Sequence, residues 1–331
     1  MSKKALITGI TGQDGYYLAK TLFQKKYEVF GLIRGQNNPK KVIVEQELPF
    51  VKLIEADLTD QSSLVRAINY CQPDEIYNLA AISFVAYSFY APQITFDITG
   101  KGVLNVLEAI RLTNNTDRIK FYQASTSEMF GGLDYNRQEN GYDENALLHP
   151  RSPYGVAKVY GHYITRNYRE SYGLFASSGI LFNHESEKRG YEFVTRKITQ
   201  AVARIKLGLQ DHIELGNLDA KRDWGYAADY VEGMWQMLQQ DKPEDFVLAT
   251  GETHSIKDFL SVAFQEVGIS DYKPDVKQNP AFMRPAEVDL LIGNPKKAET
   301  KLGWKRNVDF KQLVKLMVKN DLTIEGQQLI K

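Results

Sequence analysis

The amino-acid sequence predicts an α/β protein in which a doubly wound parallel sheet carries a smaller, interleaved C-terminal domain. Three observations predict it. Short apolar runs alternate with helical patterns through the first half of the chain, as parallel strands joined by helices do. A glycine-rich turn separates the first apolar run from the first helical one. The alternation breaks after residue 182 and resumes at 225–249, so a second unit interrupts the first.

Residues 5–8 form the first predicted strand. A helix is predicted over 15–26, where Leu18, Ala19, Leu22 and Phe23 recur at helical spacing. Strands follow at 28–33 and 51–56; turn and capping chemistry at 57–60 precedes a helical stretch at 62–70. A fourth strand at 75–80 leads to a helix over 98–111 with a broad apolar face from Val103, Leu104, Val106, Leu107 and Ile110. A fifth strand at 119–124, a long helix at 153–172 and a sixth strand at 176–182 complete the alternation. Residues 183–222 are polar and charged; 225–240 returns to a helix and 246–249 to one more strand of the same sheet. Helix candidates remain at 256–266 and 296–302. The expected division is a cofactor-binding domain over 1–182, rejoined by 223–250, and a second domain from 183–222 and 251–331. Residues 131–150, with Gly131, Gly132, Asn136, Asn140, Gly141 and Asn145, read as a long irregular loop. Loops of that length are usually functional, and this one is expected to order over a bound ligand.

Composition narrows the function classes. A chain of 331 residues with 43% hydrophobic content can bury a large core. Lys+Arg and Asp+Glu both total 41, so no global field favours nucleic acid or membrane, and an anionic ligand must be held by local cations. The single cysteine, Cys71, excludes an intrachain disulfide. The first residues contain too short an apolar run for a signal peptide or a spanning helix, and a cytoplasmic protein is expected. No metal site is expected.

The segment Thr8-Gly9-Ile10-Thr11-Gly12-Gln13-Asp14-Gly15 follows the first strand and opens the first helix. Glycines there let the backbone turn sharply and approach a pyrophosphate, while the helix N-terminus offers free N–H groups. The spacing is G-x-x-G-x-x-G, and its place in the chain makes the sheet one of Rossmann type. The second strand ends in Arg34-Gly35-Gln36-Asn37, a cation where an NAD site places a carboxylate, which suits the 2′-phosphate of NADP. Arg34 also reads as a solvated surface arginine. Asp57, at the end of the third strand, reads either as an adenine contact or as a helix cap.

Tyr154 and Lys158 are spaced i, i+4 on one predicted helix and share a face. A neighbouring ammonium and a positive nicotinamide would favour phenolate, making Tyr154 a base for a substrate hydroxyl. Y-x-x-x-K alone is weak: with 19 tyrosines, about one or two copies arise by chance. Tyr16 and Lys20 also match and read as a surface pair. Tyr154 differs by following the fifth strand and Ser125-Thr126-Ser127-Glu128. Thr126 and Glu128 lie just past the C-terminal end of that strand, where such sheets place ligands. Thr126 can hydrogen-bond the oxygen that Tyr154 deprotonates. Glu128 suits removal of a carbon acid proton beside a new ketone; its other reading is a capping glutamate.

With these residues in place, the sequence resembles the GDP-mannose 4,6-dehydratases, extended short-chain dehydrogenase/reductases, over almost its whole length. The matching stretches are TGITGQDG (8–15), EIYNLAA (75–81), QASTSEMFG (123–131), PRSPYGVAK (150–158), GILFNHES (179–186), FVTRKI (193–198), LGNLDAKRDWG (215–225), RPAEVDLLIG (284–293) and KLGW (301–304). The resemblance implies a hydro-lyase. Hydride leaves C4 of a GDP-sugar for a tightly bound NADP while Tyr154 accepts the hydroxyl proton, assisted by Thr126 and Lys158. Glu128 takes the C5 proton and protonates the departing C6 hydroxyl; hydride then returns to C6, regenerating the cofactor. Matching positions imply that Gly9, Ile10, Thr11, Gly12, Gln13, Asp14, Arg34, Asp57, Leu58, Ala80, Ala81, Ser83, Tyr154, Lys158, His184 and Arg189 hold NADP, with Gly15 closing the turn. They imply that Asn183, Lys197, Arg222, Arg284 and Glu287 contact the nucleotide or diphosphate, with Ser83 and Thr126 also at the substrate. The helices at 98–111 and 153–172 are expected to pair across a two-fold axis in a homodimer or homotetramer.

The chain departs from the family pattern in places. Arg34-Gly35-Gln36-Asn37 replaces a common Arg-Arg-Ser-Ser run, Ile94 replaces a tyrosine, and Leu147-Leu148-His149-Pro150 replaces Pro-Phe-Tyr-Pro. The last two changes are expected to flank the sugar, so GDP-mannose and GDP-manno-heptose both stand as substrates. A nucleotide-sugar 4-epimerase or reductase on the same scaffold would not need Glu128, and a silent NADP-binding sensor would need none of the four residues Thr126, Glu128, Tyr154 and Lys158.

Overall fold

The computed structural model describes residues 2–35, 37–132, 140–282, 288 and 290–328. Gln36, Arg284, Glu287 and residues 133–139 of the predicted loop lie outside them. Six strands match the predicted alternation: β1 (Lys4–Thr8), β2 (Glu28–Ile33), β3 (Lys52–Glu55), β4 (Glu75–Asn78), β5 (Lys120–Thr126) and β6 (Ala176–Leu181). With Phe246–Leu248 they form a seven-stranded sheet in the order Phe246–Leu248, β6, β5, β4, β1, β2, β3. Every pairing in it is parallel. The order reverses between β1 and β4, and the crevice beyond the C-terminal ends of those strands is where such sheets bind ligands.

Both faces of the sheet are covered, which is why its strands read as continuous apolar runs. On one face the helices Gln13–Gln24 and Ala227–Leu238 bury Leu18, Leu22, Val231, Met234 and Leu238 against Ala5, Ile7 and Val29. On the other, Gln61–Cys71, Gly102–Leu112 and Pro153–Tyr172 bury Leu64, Ile68, Val103, Leu107, Ile110 and Tyr168 against Leu6, Ile76 and Phe121. The helix predicted at 98–111 is an α-helix only from Gly102; its first turn, Asp97–Lys101, is a π-turn.

A third core lies beyond the sheet. It joins Ile198, Val202, Leu215, Trp224, Phe259, Leu260, Phe264, Phe310, Leu313 and Met317. Two of its helices, Val194–Lys206 and Phe310–Gln328, are absent from the sequence reading. So are Lys40–Glu47, Val85–Tyr90 and Pro92–Phe96. The described part of the 131–150 segment is not free of the body. Tyr142 is fully buried and bridges Gly293 in parallel, and the Glu144 carboxylate accepts from Val247 N at 2.7 Å. Leu148 packs on the cluster of Met129, Phe130 and Phe182, while Leu147 is 79% exposed. No described helix is long and apolar enough to cross a membrane.

Candidate active site

The glycine turn is built by contacts that leave no room for side chains. Gly9 has φ +75°, and a Cβ there would stand 2.8 Å from Ala80 N. A Cβ on Gly15 would stand 2.5 Å from Gly9 O. The turn is tied to β4 through Thr8, whose hydroxyl donates to Asn78 Oδ1 at 2.7 Å and accepts from Leu79 N and Ala80 N. The following helix has Gly12 as N-cap with no side-chain cap, so its first N–H groups are presented to a ligand.

Gln13 and Asp14, the first helical residues, fasten the turn to the short strand Asn183–Glu185. Gln13 Nε2 donates to His184 O at 3.0 Å, and Ser186 Oγ donates to Gln13 Oε1 at 2.7 Å. Both nitrogens of His184 face acceptors: Nδ1 lies 2.8 Å from Phe182 O and Nε2 lies 2.8 Å from Asp14 Oδ2. Two acceptors require two N–H groups, so the ring is held as imidazolium. Burial opposes that charge, and the Asp14 carboxylate overcomes it, raising His184 and falling itself.

Across the crevice, Ser152 caps the long helix by accepting from Gly155 N at 3.0 Å, and Pro153 occupies its first turn. Tyr154, Lys158 and His162 then line one face, all buried. Each meets the end of β5. Lys158 Nζ donates to Ala124 O at 2.7 Å, His162 Nδ1 lies 3.0 Å from Ser125 Oγ, and Thr126 lines the same cavity as Tyr154. Burial pushes the Lys158 ammonium down to about 8. Burial also pushes Tyr154 up, opposed by Thr126 and by the nearby Arg189 cation. The ammonium is spent on a backbone carbonyl, 5.8 Å from the phenol ring centre, and desolvation prevails. Thr126, not Glu128, is the cap of the short turn Ser127–Met129, accepting from Glu128 N at 3.3 Å.

On the far wall, Lys197 Nζ donates to Glu214 O at 2.8 Å and lies 3.8 Å from the centre of the Phe282 ring. Arg222 is buried, and its neighbour Asp223 accepts from Thr250 N, Thr250 Oγ1, Gly251 N and Gly293 N. These elements enclose a cavity of about 1620 Å³. It is lined by the turn, Arg34, Asp57, Leu58, Ala80, Ala81, Ser83, Thr126, Glu128, Tyr154, Lys158, Asn183, His184, Arg189, Lys197 and Arg222. Single small-ligand pockets hold roughly 300–1,000 Å³, so this one has room for two ligands end to end.

Some expectations part from the structure. Ile10 does not line the cavity; it is 1% exposed, and its side chain packs where a Cβ on Gly31 would fall. Ile94 is 40% exposed and also off the cavity, as are all described residues of 131–150. Leu148 packs on the cluster that includes Phe182 and Val247 and is not itself on the cavity wall. Asp57 lines the cavity but is not the helix cap: its Oδ1 accepts from Thr59 N and Oγ1 within the turn, and Asp60 caps Gln61–Cys71 by accepting from Ser62 N. Tyr16 and Lys20 form an exposed pair at 3.2 Å. Lys40 and Lys188, two further cations on the wall, carry no motif that singles them out.

Residues 6–317 match the protein-family profile described as GDP-mannose 4,6 dehydratase. GDP-mannose 4,6 dehydratase 1 of Arabidopsis thaliana is 49% identical over 338 residues, covering 99% of this chain and 92% of its own. GDP-mannose 4,6-dehydratase of Vibrio cholerae serotype O1 is 47% identical over 357 residues, covering 97% and 94%. Among solved structures, the dTDP-glucose 4,6-dehydratase of Bacillus anthracis in complex with NAD aligns over 100% of both chains. Its TM-score is 0.83 at 20% identity, a likeness of fold.

Proposed function

Because this chain belongs to the GDP-mannose 4,6-dehydratase family, we propose that it dehydrates a GDP-sugar, GDP-mannose first, to the GDP-4-keto-6-deoxy sugar with resident NADP. The observation that carries the reading is that Thr126, Glu128, Tyr154 and Lys158 share one cavity with the glycine turn. The residues present fit a dinucleotide. Gly9 and Gly15 allow close backbone approach, the N-terminus after Gly12 is uncapped, and Arg34 and Lys40 put cations on the cavity wall, which supports a 2′-phosphate.

The chemistry supplied by bound NADP is hydride uptake at C4 and its return at C6. Tyr154 accepts the C4 hydroxyl proton, and Thr126, on the same cavity wall, holds the same oxygen. Lys158, anchored on Ala124 O, adds positive charge behind them. The new ketone acidifies C5–H. Glu128 takes that proton and passes it to the C6 hydroxyl, which leaves as water; a proton returns to C5 at the end, balancing the one Tyr154 took from the C4 hydroxyl, so one water is lost overall. Arg222 and Lys197 supply charge for the diphosphate. The subunits are read as a homo-oligomer joined through the helix Pro153–Tyr172, whose outward Val156, Tyr160 and Tyr163 continue onto Phe96, 5.5 Å from the Tyr160 ring.

The test is incubation with GDP-mannose and, separately, GDP-manno-heptose, with NADP or NAD, read by mass. Loss of one water with NADP is the expected outcome. A product of unchanged mass would replace the reading with an epimerase, and binding without conversion would replace it with a sensor. Equal turnover with NAD would remove the 2′-phosphate argument.

A further inference from the structure

We propose that the buried Arg196–Asp321 pair is a positioning device for the cofactor site, by which the helix Phe310–Gln328 holds the Lys188–Arg189 segment against the dinucleotide. The inference rests on the NADP reading above. Neither residue touches the cavity. Arg196 is 3% exposed and Asp321 1%, so both charges are withdrawn from water. Such a pair is costly to bury and contributes little net stability by itself. What this one does is visible in the other bonds of the guanidinium.

Arg196 Nε donates to both Asp321 oxygens, at 2.9 and 3.0 Å, and Nη2 lies 2.7 Å from Oδ1. Thr199 Oγ1 donates to Asp321 Oδ2 at 2.6 Å, fixing the carboxylate. The remaining donors of the fork leave that helix pair. Nη1 donates to the carbonyls of Glu187 and Arg189, and Nη2 reaches Tyr191 OH at 3.3 Å. The guanidinium thus pins the backbone on both sides of Lys188. Lys188 and Arg189 line the cavity, and the Arg189 cation acts on Asp14, His184 and Tyr154 together. Arg189 is further set by Glu185, 3.0 Å from its Nε, and by the Phe193 ring 3.6 Å away. The planar fork has enough donors in fixed directions for the Asp321 carboxylate, the two carbonyls and Tyr191 OH together, more than the three donors of an ammonium can serve.

The experiment uses the full chain and the double variant Arg196→Met/Asp321→Leu, which replaces a buried ion pair with apolar groups of similar size, an exchange that often leaves stability intact. NADPH affinity is read by fluorescence titration, GDP affinity by calorimetry, and folding by melting temperature. A positioning role predicts a melting temperature near wild type, NADPH binding weakened by about tenfold or more, and GDP binding changed by less than about twofold. In an Arg189→Ala background the same double change should weaken NADPH binding by less than about twofold, because the group it positions is gone. Wild-type NADPH affinity in the folded double variant, or equal loss for NADPH and GDP, overturns the proposal. If the double variant does not fold, Arg196→Lys, which keeps the charge and loses the fork, is measured in the same way with the same deciding outcomes. A wild-type chain that binds no NADPH would fail the cofactor reading itself, a result distinct from either.

Discussion

Lys158 spends its charge in a place that costs the fold. Its ammonium is 4% exposed and pushed down to about 8, against 10.5 for the free side chain. Between those values the unfolded chain binds the proton and the folded one does not, so stability rises with pH through that window and the full cost is present below it. Lys158→Met should therefore stabilise the cofactor-free protein at neutral pH, by on the order of 3 kcal/mol, and raise its melting temperature. The gain should shrink above pH 8 and the enzyme should be inactive. Ala124 O keeps Gln123 Nε2 as a donor, so no acceptor is orphaned. Thermal melts of both proteins from pH 6 to about 10.5 check this; a variant no more stable at pH 7 would refute the assignment. Glu128 gives a second test. Glu128→Gln keeps size and hydrogen bonding but cannot take the C5 proton, so dehydration should fall by about 10²–10⁴-fold while the first hydride transfer persists in weakened form. In D2O, wild-type product should carry deuterium at C5 and none at C6. Near-normal dehydration by the variant would return Glu128 to a role in the turn that Thr126 caps.

At the scale of elements, the glycine turn separates two kinds of glycine. Gly9 is required by its backbone: φ is +75° and Ala80 N blocks a Cβ. Gly9→Ala should destabilise the protein by about 1–3 kcal/mol. Gly12 has φ −93°, and the nearest atom to an added Cβ is Gly9 O at 3.4 Å, so Gly12→Ala should melt near wild type yet bind NADPH more weakly. The reverse order of effects on melting temperature would contradict the geometry. The legibility of the elements follows a similar line. Strands covered on both faces, and helices whose buried face is Leu, Ile and Val, were readable to within a few residues. So were the turn, Thr126, Tyr154 and Lys158, since each is fixed by order along the chain. Val194–Lys206 was not, because its buried face includes Thr195, Arg196 and Thr199. Those residues are satisfied by Asp321 and Glu185 from elsewhere, a complement no local window contains. Phe310–Gln328 hides for the matching reason, with Asp321 and Glu325 buried against Arg196, Gln200 and Arg204. Lys40–Glu47 buries only Val44 and has no period to read. Glycine and asparagine mark 131–150 as a loop, but no local window shows that its described residues Tyr142, Glu144 and Leu148 pack on the body.

At the scale of the whole molecule, the described buried apolar residues gather in four clusters. We propose the division expected from the sequence: two cores clasp the sheet, and the third belongs to the unit that carries Lys197 and Arg222. Val156 and Tyr163 are 53% and 51% exposed on the face proposed to join subunits. Val156→Glu with Tyr163→Glu should give a monomer by light scattering with the melting temperature of the isolated fold little changed; an oligomer of wild-type size would place the interface elsewhere. The interruption of the first body by the second also has a consequence during synthesis. The core beneath the helix Gly102–Leu112 uses only residues from Leu6 to Ala176 and can close once β6 has emerged. The opposite core waits for Tyr230, Met234, Phe246, Leu248 and finally Trp304. At about 5–20 residues per second, the growing chain carries one face of its sheet only partly covered, by Gln13–Gln24 without Ala227–Leu238, for on the order of ten seconds. During that interval β6 also lacks its edge partner Phe246–Leu248. The nascent protein is then most open to capture by chaperones, and slowing translation between residues 176 and 304 should lengthen that dependence.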